Sequence, residues 1–161
     1  MDILEYLEAD LDALRSLIIE LKIADEDSQQ EADAFTALVS LVKAQADAQT
    51  AVLGPLGANY PKLASVIQRS LKRMTAARDV EETIECCSNK STWRASVNVY
   101  CELLETQMKQ ETRELLPSLH DELESSERRK LGTRYKHLRG FGSSHQRNWL
   151  KLWASVINQA G

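Results

Sequence analysis

The N-terminal stretch, residues 2–24, is DILEYLEADLDALRSLIIELKIA, and its apolar residues recur every three or four positions. That spacing places them on one face of an α-helix. The apolar face consists of Leu4, Leu7, Leu11, Leu14, Ile18 and Leu21. The stretch therefore predicts a first amphipathic helix.

The same periodicity predicts further helices along the chain. A second runs over about residues 30–53 and ends at Gly54 and Pro55, because both residue types stop helices. A third starts near Pro61 and continues, with a new cap at Asp79, to about residue 87. A fourth, capped by Thr92, covers about residues 93–116, and a further helix passes through residues 119–138. Short connections between long helices are typical of an up-and-down four-helix bundle.

Composition agrees with an all-α protein. Of the 161 residues, 6% are aromatic and only six are glycine, which disfavours sandwiches and barrels. The predicted organisation is a bundle over residues 1–139, followed at 140–161 by a hinge and an amphipathic helix packed on the bundle or on a partner. Three cysteines cannot form a closed disulfide set, which indicates a reducing compartment. The N-terminus resembles no secretory signal, and no apolar run could span a membrane, so we expect a cytoplasmic protein.

Polar residues interrupt two of the apolar faces. Gln45 and Gln49 lie on the face of the second helix, and Gln107 and Glu111 lie on that of the fourth. Residues four apart share a helical face, so each helix directs a polar pair toward the core. The alternative is a small rotation that leaves them in water. A buried Glu111 would have to be paired, protonated or bound to metal, and burial would raise its pKa.

Four stretches resemble the bacterial haemerythrin-like family, also called HHE cation-binding domains. Residues 10–15 (DLDALR) are similar to its opening helix, where an Asp-His pair precedes Leu-Arg. Residues 45–56 (QADAQTAVLGPL) and 107–117 (QMKQETRELLP) each resemble its His-x-x-x-Glu motif followed by hydrophobic residues and Pro. Residues 126–135 (SERRKLGTRY) are similar to its closing Leu-Gly-x-Arg segment. The resemblance covers about residues 2–139.

The resemblance implies a non-haem di-iron centre held by histidines and two bridging carboxylates. In this chain the corresponding positions are Leu11, Gln45, Gln49, Ser70, Gln107 and Glu111. Only Glu111 keeps a ligand of the family's type, and neutral amides are poor ligands for iron. We therefore expect a haemerythrin-like bundle without its metal centre and without a cofactor.

Charge divides the chain. Residues 1–127 carry a net charge of −12, and the residues after Glu127 carry +8. The basic residues are Arg128, Arg129, Lys130, Arg134, Lys136, Arg139, Arg147 and Lys151, and Trp149 and Trp153 lie among them. Such a segment is typical of a surface that contacts a protein, a nucleic acid or another anionic partner. The alternative is that it packs on the acidic body of its own domain.

Enzymatic motifs such as G-x-S-x-G, Walker A or H-E-x-x-H do not occur in the sequence. The favoured hypothesis is a non-catalytic interaction or regulatory module, whose oligomeric state the sequence does not indicate. The alternative is a metal- or small-ligand-binding protein with a non-standard site, acting in oxygen or iron sensing or in storage.

Overall fold

A computed structural model describes residues 1–140, and every regular element in that range is helical. The elements are α1 (Ile3–Ile23), α2 (Gln29–Leu53), α3 (Leu56–Asn59), α4 (Pro61–Glu85), α5 (Lys90–Gln110), a π turn (Glu111–Leu115), α6 (Leu116–Glu122) and α7 (Ser125–Arg139). The all-α class predicted from the sequence is confirmed for this part of the chain. None of these helices is long and apolar enough to cross a membrane.

Local chemistry explains where α1 begins. The Asp2 side chain accepts hydrogen bonds from the backbone N–H groups of Leu4 and Glu5, and Glu5 accepts one from the Asp2 backbone in return. This reciprocal capping box satisfies N–H groups that the first turn of a helix leaves unpaired. α2 begins in a similar way, because Ser28 accepts from the backbone of Glu31.

Pro117 explains why α5 passes through a π turn. Proline lacks an N–H, and its ring crowds the carbonyl four residues earlier, here that of Arg113. The chain widens locally, and the Leu116 N–H donates to the Glu111 carbonyl five residues back. A π turn of this kind is rare, and such turns often lie at functional sites.

The structure corrects three predicted helix boundaries. α4 is unbroken from Pro61 to Glu85, so Asp79 caps nothing. α5 begins at Lys90 because Asn89, rather than Thr92, accepts from the first free N–H groups. The chain after Pro117 is two helices, since Leu123 is extended and separates α6 from α7.

Long helices that follow one another in the chain pack together. α1 lies against α2, and α4 lies against α5. α2 also contacts α4, and α7 covers both α1 and α2. Every long helix contributes side chains to one hydrophobic core, among them Leu14, Leu38, Leu63, Tyr100 and Tyr135.

α7 approaches the start of α1 very closely. A Cβ atom added to Gly132 would lie 2.8 Å from the carbonyl carbon of Asp2 and 2.9 Å from the backbone nitrogen of Ile3. Only glycine permits this contact between two backbones. α7 ends at Gly140, whose φ of 73° is the left-handed conformation common at helix C-termini. The predicted C-terminal helix, with Arg147, Trp149, Lys151 and Trp153, lies outside the described residues.

Candidate functional site: a buried polar cluster around Glu111

Four polar side chains from four different elements meet in the core. They are Gln49 of α2, Ser70 of α4, Gln107 of α5 and Glu111 of the π turn. Gln49 is fully buried and the Glu111 residue is 1% exposed. The predicted inward orientation of these polar residues is therefore confirmed, and the alternative rotation into water is wrong.

Glu111 is the acceptor at the centre of this cluster. Its Oε1 atom accepts hydrogen bonds from Gln107 Nε2 at 2.8 Å, Gln49 Nε2 at 3.4 Å and Ser70 Oγ at 3.4 Å. The bond from Gln107 is short, as expected for a charged or strongly polar acceptor, and the other two are long. All three hydrogen bonds of the cluster therefore end on the same carboxyl oxygen.

Three acceptor atoms of the cluster receive no hydrogen bond from residues 1–140. Glu111 Oε2, Gln49 Oε1 and Gln107 Oε1 are buried and have no hydrogen-bond partner among the described residues. A buried polar atom without a partner is unfavourable by about 1–3 kcal/mol. A proton on Glu111 Oε2 would turn one of these three acceptors into a donor.

Burial raises the pKa of Glu111 above its ordinary value of 4.5. The hydrogen bonds from Gln107, Gln49 and Ser70 act in the opposite direction, because they stabilise the carboxylate. Burial outweighs them, and the nearby carboxylate of Asp10 adds to the rise. The pKa shift that the sequence analysis expected for Glu111 therefore has the predicted direction.

Leu11 and Gln45, the other two predicted ligand positions, are also buried. Leu11 belongs to the hydrophobic core. Gln45 lies one turn before Gln49 on α2 and makes no hydrogen bond to Glu111. All six positions singled out from the sequence are thus in the interior, and four of them form the hydrogen-bonded cluster.

The residues present do not fit a di-iron centre. Around Glu111 the donor set is one carboxyl group, two amides and one hydroxyl, and iron sites of this kind require imidazole and several carboxylates. Within residues 1–140, no three His, Cys, Asp or Glu side chains come together as a metal site. His120 and His137 are both exposed, on α6 and α7.

A second buried network was not predicted. Asp10 of α1 accepts a hydrogen bond from Tyr135 Oη at 2.5 Å and two from Arg139, at 2.9 and 2.7 Å. The side chains of Asp10 and Arg139 are 2% and 8% exposed. The sequence held one signal, since Asp10 lies three residues after Leu7 on the apolar face of α1. This network fixes α7 against α1 beside the polar cluster.

A third buried pair joins α4 to α5. Tyr100 Oη donates to Glu81 Oε1 at 2.6 Å, and Tyr100 is fully buried. Burial raises the pKa of Glu81, although the bond from Tyr100 lowers it in part. The helical spacing of the fourth predicted helix places Tyr100 on its apolar face but does not indicate its partner.

Two of the α7 cations predicted to contact a partner make bonds inside the domain. Arg139 binds Asp10, and Arg128 donates to Asp2 and to the backbone carbonyls of His120 in α6 and of Leu123, which follows α6. The remaining α7 cations are exposed, and they are Arg129, Lys130, Arg134 and Lys136. Of these, Lys130 lies 3.8 Å from Glu127.

Comparison of the chain with protein-family models, with curated proteins and with solved structures finds no match.

Proposed function

We propose that this chain is a haemerythrin-like four-helix bundle that has lost its di-iron site and acts as a non-catalytic interaction or regulatory module. The observation that carries the proposal is the cluster around Glu111. Four of the six positions that the resemblance assigns to metal ligands meet there as hydrogen-bonding side chains.

The arrangement of the helices supports the bundle. The long helices α1, α2, α4 and α5 each pack against the next one in the chain or its neighbour, as in up-and-down bundles. α7 then covers α1 and α2, and the α1–α7 contact is fixed by Asp10 and Gly132.

The chemistry of the cluster supports the loss of metal. Gln49 stands at the second-helix Glu position of the resemblance and Gln107 at its fourth-helix His position, and both direct their amide N–H groups at the carboxyl oxygen. Those donors occupy Oε1, one of the two carboxyl oxygens that a metal ion could use. The cluster therefore binds the helices together through amide–carboxyl hydrogen bonds rather than through iron.

The contact surface for a partner is proposed on α7. Its exposed cations, Arg129, Lys130, Arg134 and Lys136, lie on a chain that is acidic elsewhere, and they suit an anionic partner such as nucleic acid or an acidic protein. With Arg128 and Arg139 engaged inside the domain, these four carry the proposed contact within the described residues.

Salt dependence tests this surface. The variant Arg129→Ala/Arg134→Ala should bind a short DNA duplex more weakly and with a smaller slope of log K against log salt than the unmodified chain. The matched variant Lys43→Ala/Lys72→Ala removes two exposed cations from α2 and α4 and should bind as before. Equal slopes for all three proteins would contradict a nucleic-acid contact through α7.

The alternative function is binding of a metal ion or small ligand at Glu111. The three buried acceptors without a donor favour it, because carbonyl and carboxylate oxygens suit hard cations. In that case Glu111→Gln should abolish binding, since the site would lose its charge.

Elemental analysis of protein expressed in iron-rich medium, with its visible absorption, separates the two functions. The proposal expects no stoichiometric metal and the same result for the Glu111→Gln variant. Two irons per chain, lost in that variant, would overturn the proposal. One bound metal ion of another kind, lost in the same variant, would establish the alternative.

A further inference from the structure

A cleft separate from the polar cluster lies between the second half of α1 and the region where α5 joins the π turn. Its volume is about 450 Å³, within the range of small-molecule sites. Ile18 and Met108 form an almost fully buried apolar floor. Ile19 lines the same cleft and is 53% exposed.

Cations line both sides of this floor. Arg15 and Lys22 stand on α1, and Lys109 and Arg113 stand opposite them. The cleft has a single acidic residue, Glu105, although residues 1–127 contain 24 acidic and only 12 basic residues. One third of those basic residues therefore line one cleft, although residues 1–127 as a whole carry a negative net charge.

The cations on the two sides of the cleft differ in whether they form ion pairs. Arg15 is paired with Asp12 at 2.6 Å, and Lys22 is paired with Glu105. Lys109 and Arg113 are exposed and have no ion-pair partner among residues 1–140. Two uncompensated cations thus stand beside an apolar floor, on the side formed by α5 and the π turn.

We propose that this cleft binds a small anionic amphiphile, of which a fatty-acid carboxylate is the simplest form. The head group would bind Arg113 and Lys109, because a guanidinium pairs well with a carboxylate and an ammonium adds a second charge. The hydrocarbon body would lie on the floor formed by Ile18 and Met108 and cover Ile19, whose exposed apolar surface it removes from water. The cleft thus offers cations for the head group and an apolar surface for the hydrocarbon body.

The π turn supports the choice of this cleft. Thr112 and Arg113 both line it and both belong to the π turn, which also places Glu111 in the core. A local widening of this kind is a frequent feature of binding sites. The proposal depends on the cleft alone, so it does not require the metal-free core proposed above.

Titration calorimetry with sodium decanoate, below its micellar concentration, tests the proposal. We expect one molecule bound per chain, and binding at least about tenfold weaker to the variant Lys109→Ala/Arg113→Ala. Both side chains are exposed, so that variant should keep its fold. The variant Lys43→Ala/Lys72→Ala loses the same charge at exposed positions of α2 and α4 and serves as the matched control, with unchanged affinity.

Two further probes separate the charge from the apolar body. Decanol has the same chain without the charge, and acetate has the charge without the chain; both should bind at least about tenfold more weakly than decanoate. In addition, the variant Ile19→Asn should bind decanoate more weakly than the unmodified chain, by a smaller factor than the variant Lys109→Ala/Arg113→Ala. Equal binding of decanol, equal binding to the Lys109→Ala/Arg113→Ala variant, or no binding of decanoate would each overturn the proposal.

Discussion

Replacing Glu111 with Gln keeps the shape of the side chain and removes its ionisation. In the protein, Oε1 of Glu111 holds all three hydrogen bonds of the cluster and Oε2 holds none. In the variant an amide oxygen can accept the same three bonds. The amide nitrogen then stands where Oε2 was, with two hydrogens beside a cluster that lacks donors.

The hydrogen bonds give the size of the effect. One buried acceptor that gains a donor contributes about 1–3 kcal/mol to the free energy of unfolding. Where the carboxyl group is ionised, loss of its charge weakens the 2.8 Å bond from Gln107 by about 1 kcal/mol, the difference between a charge-assisted and a neutral bond. The two 3.4 Å bonds are long and change little. At pH 7 the variant should therefore be equal to the unmodified protein or up to about 2 kcal/mol more stable.

The pH dependence has a definite sign. Burial makes the folded-state pKa of Glu111 higher than its value of 4.5 in the unfolded chain. Between those two values the folded protein holds more protons than the unfolded chain, so the free energy of unfolding falls as pH rises. Below pH 4.5 this effect is absent. The advantage of the Gln variant should thus grow from pH 4.5 upward and become constant above the folded-state pKa.

Urea unfolding at pH 4, 6 and 8 measures this difference through the transition midpoint, provided that the slope m is unchanged. The control is Glu102→Gln, on the exposed face of α5, which should show no pH-dependent gain of this kind. A Gln variant less stable by about 2 kcal/mol or more at pH 7 would refute the reasoning. That result would mean that the protein needs an ionised carboxylate in its core.

Three further predictions follow from other contacts. Asp10→Ala should lower the free energy of unfolding by about 3–5 kcal/mol in urea titrations, because it removes the carboxylate that forms a buried ion pair with Arg139, whereas Asp12→Ala at an exposed pair should change it little. Gly132→Ala should cost about 1–3 kcal/mol despite the better helix propensity of alanine, since its Cβ would collide with the backbone of α1; an unchanged melting temperature would contradict that packing. Burial raises the pKa of Cys101 to about 11, so alkylation at pH 8 followed by mass spectrometry should label the two exposed or half-buried cysteines first and Cys101 only on unfolding.

Sequence predicted the elements whose signals are local. α1 was predicted within one residue at each end, because its apolar residues are regularly spaced. The burial of Gln49 and Glu111 was predicted from the same spacing, since a helical face is fixed once its apolar positions are known.

Contacts between distant parts of the chain could not be predicted in this way. The break at Leu123 contains neither glycine nor proline, and the leucine spacing continues across it. The structure shows that Arg128 binds the carbonyls exposed at the end of α6, a contact that no local pattern indicates. The partners of Asp10 were missed for the same reason, because periodicity reports which side of a helix is buried but not which side chain it meets.

The bonds between Asp10 and α7 also bear on the order of folding. Tyr135 and Arg139 follow Asp10 by 125 and 129 residues. During synthesis Asp10 therefore leaves the ribosome long before its two hydrogen-bond partners. Contacts so distant along the chain form late, after local helices and helix pairs. We therefore expect loss of Asp10 to accelerate unfolding and to leave the refolding rate almost unchanged, so that this network acts chiefly on the lifetime of the folded protein.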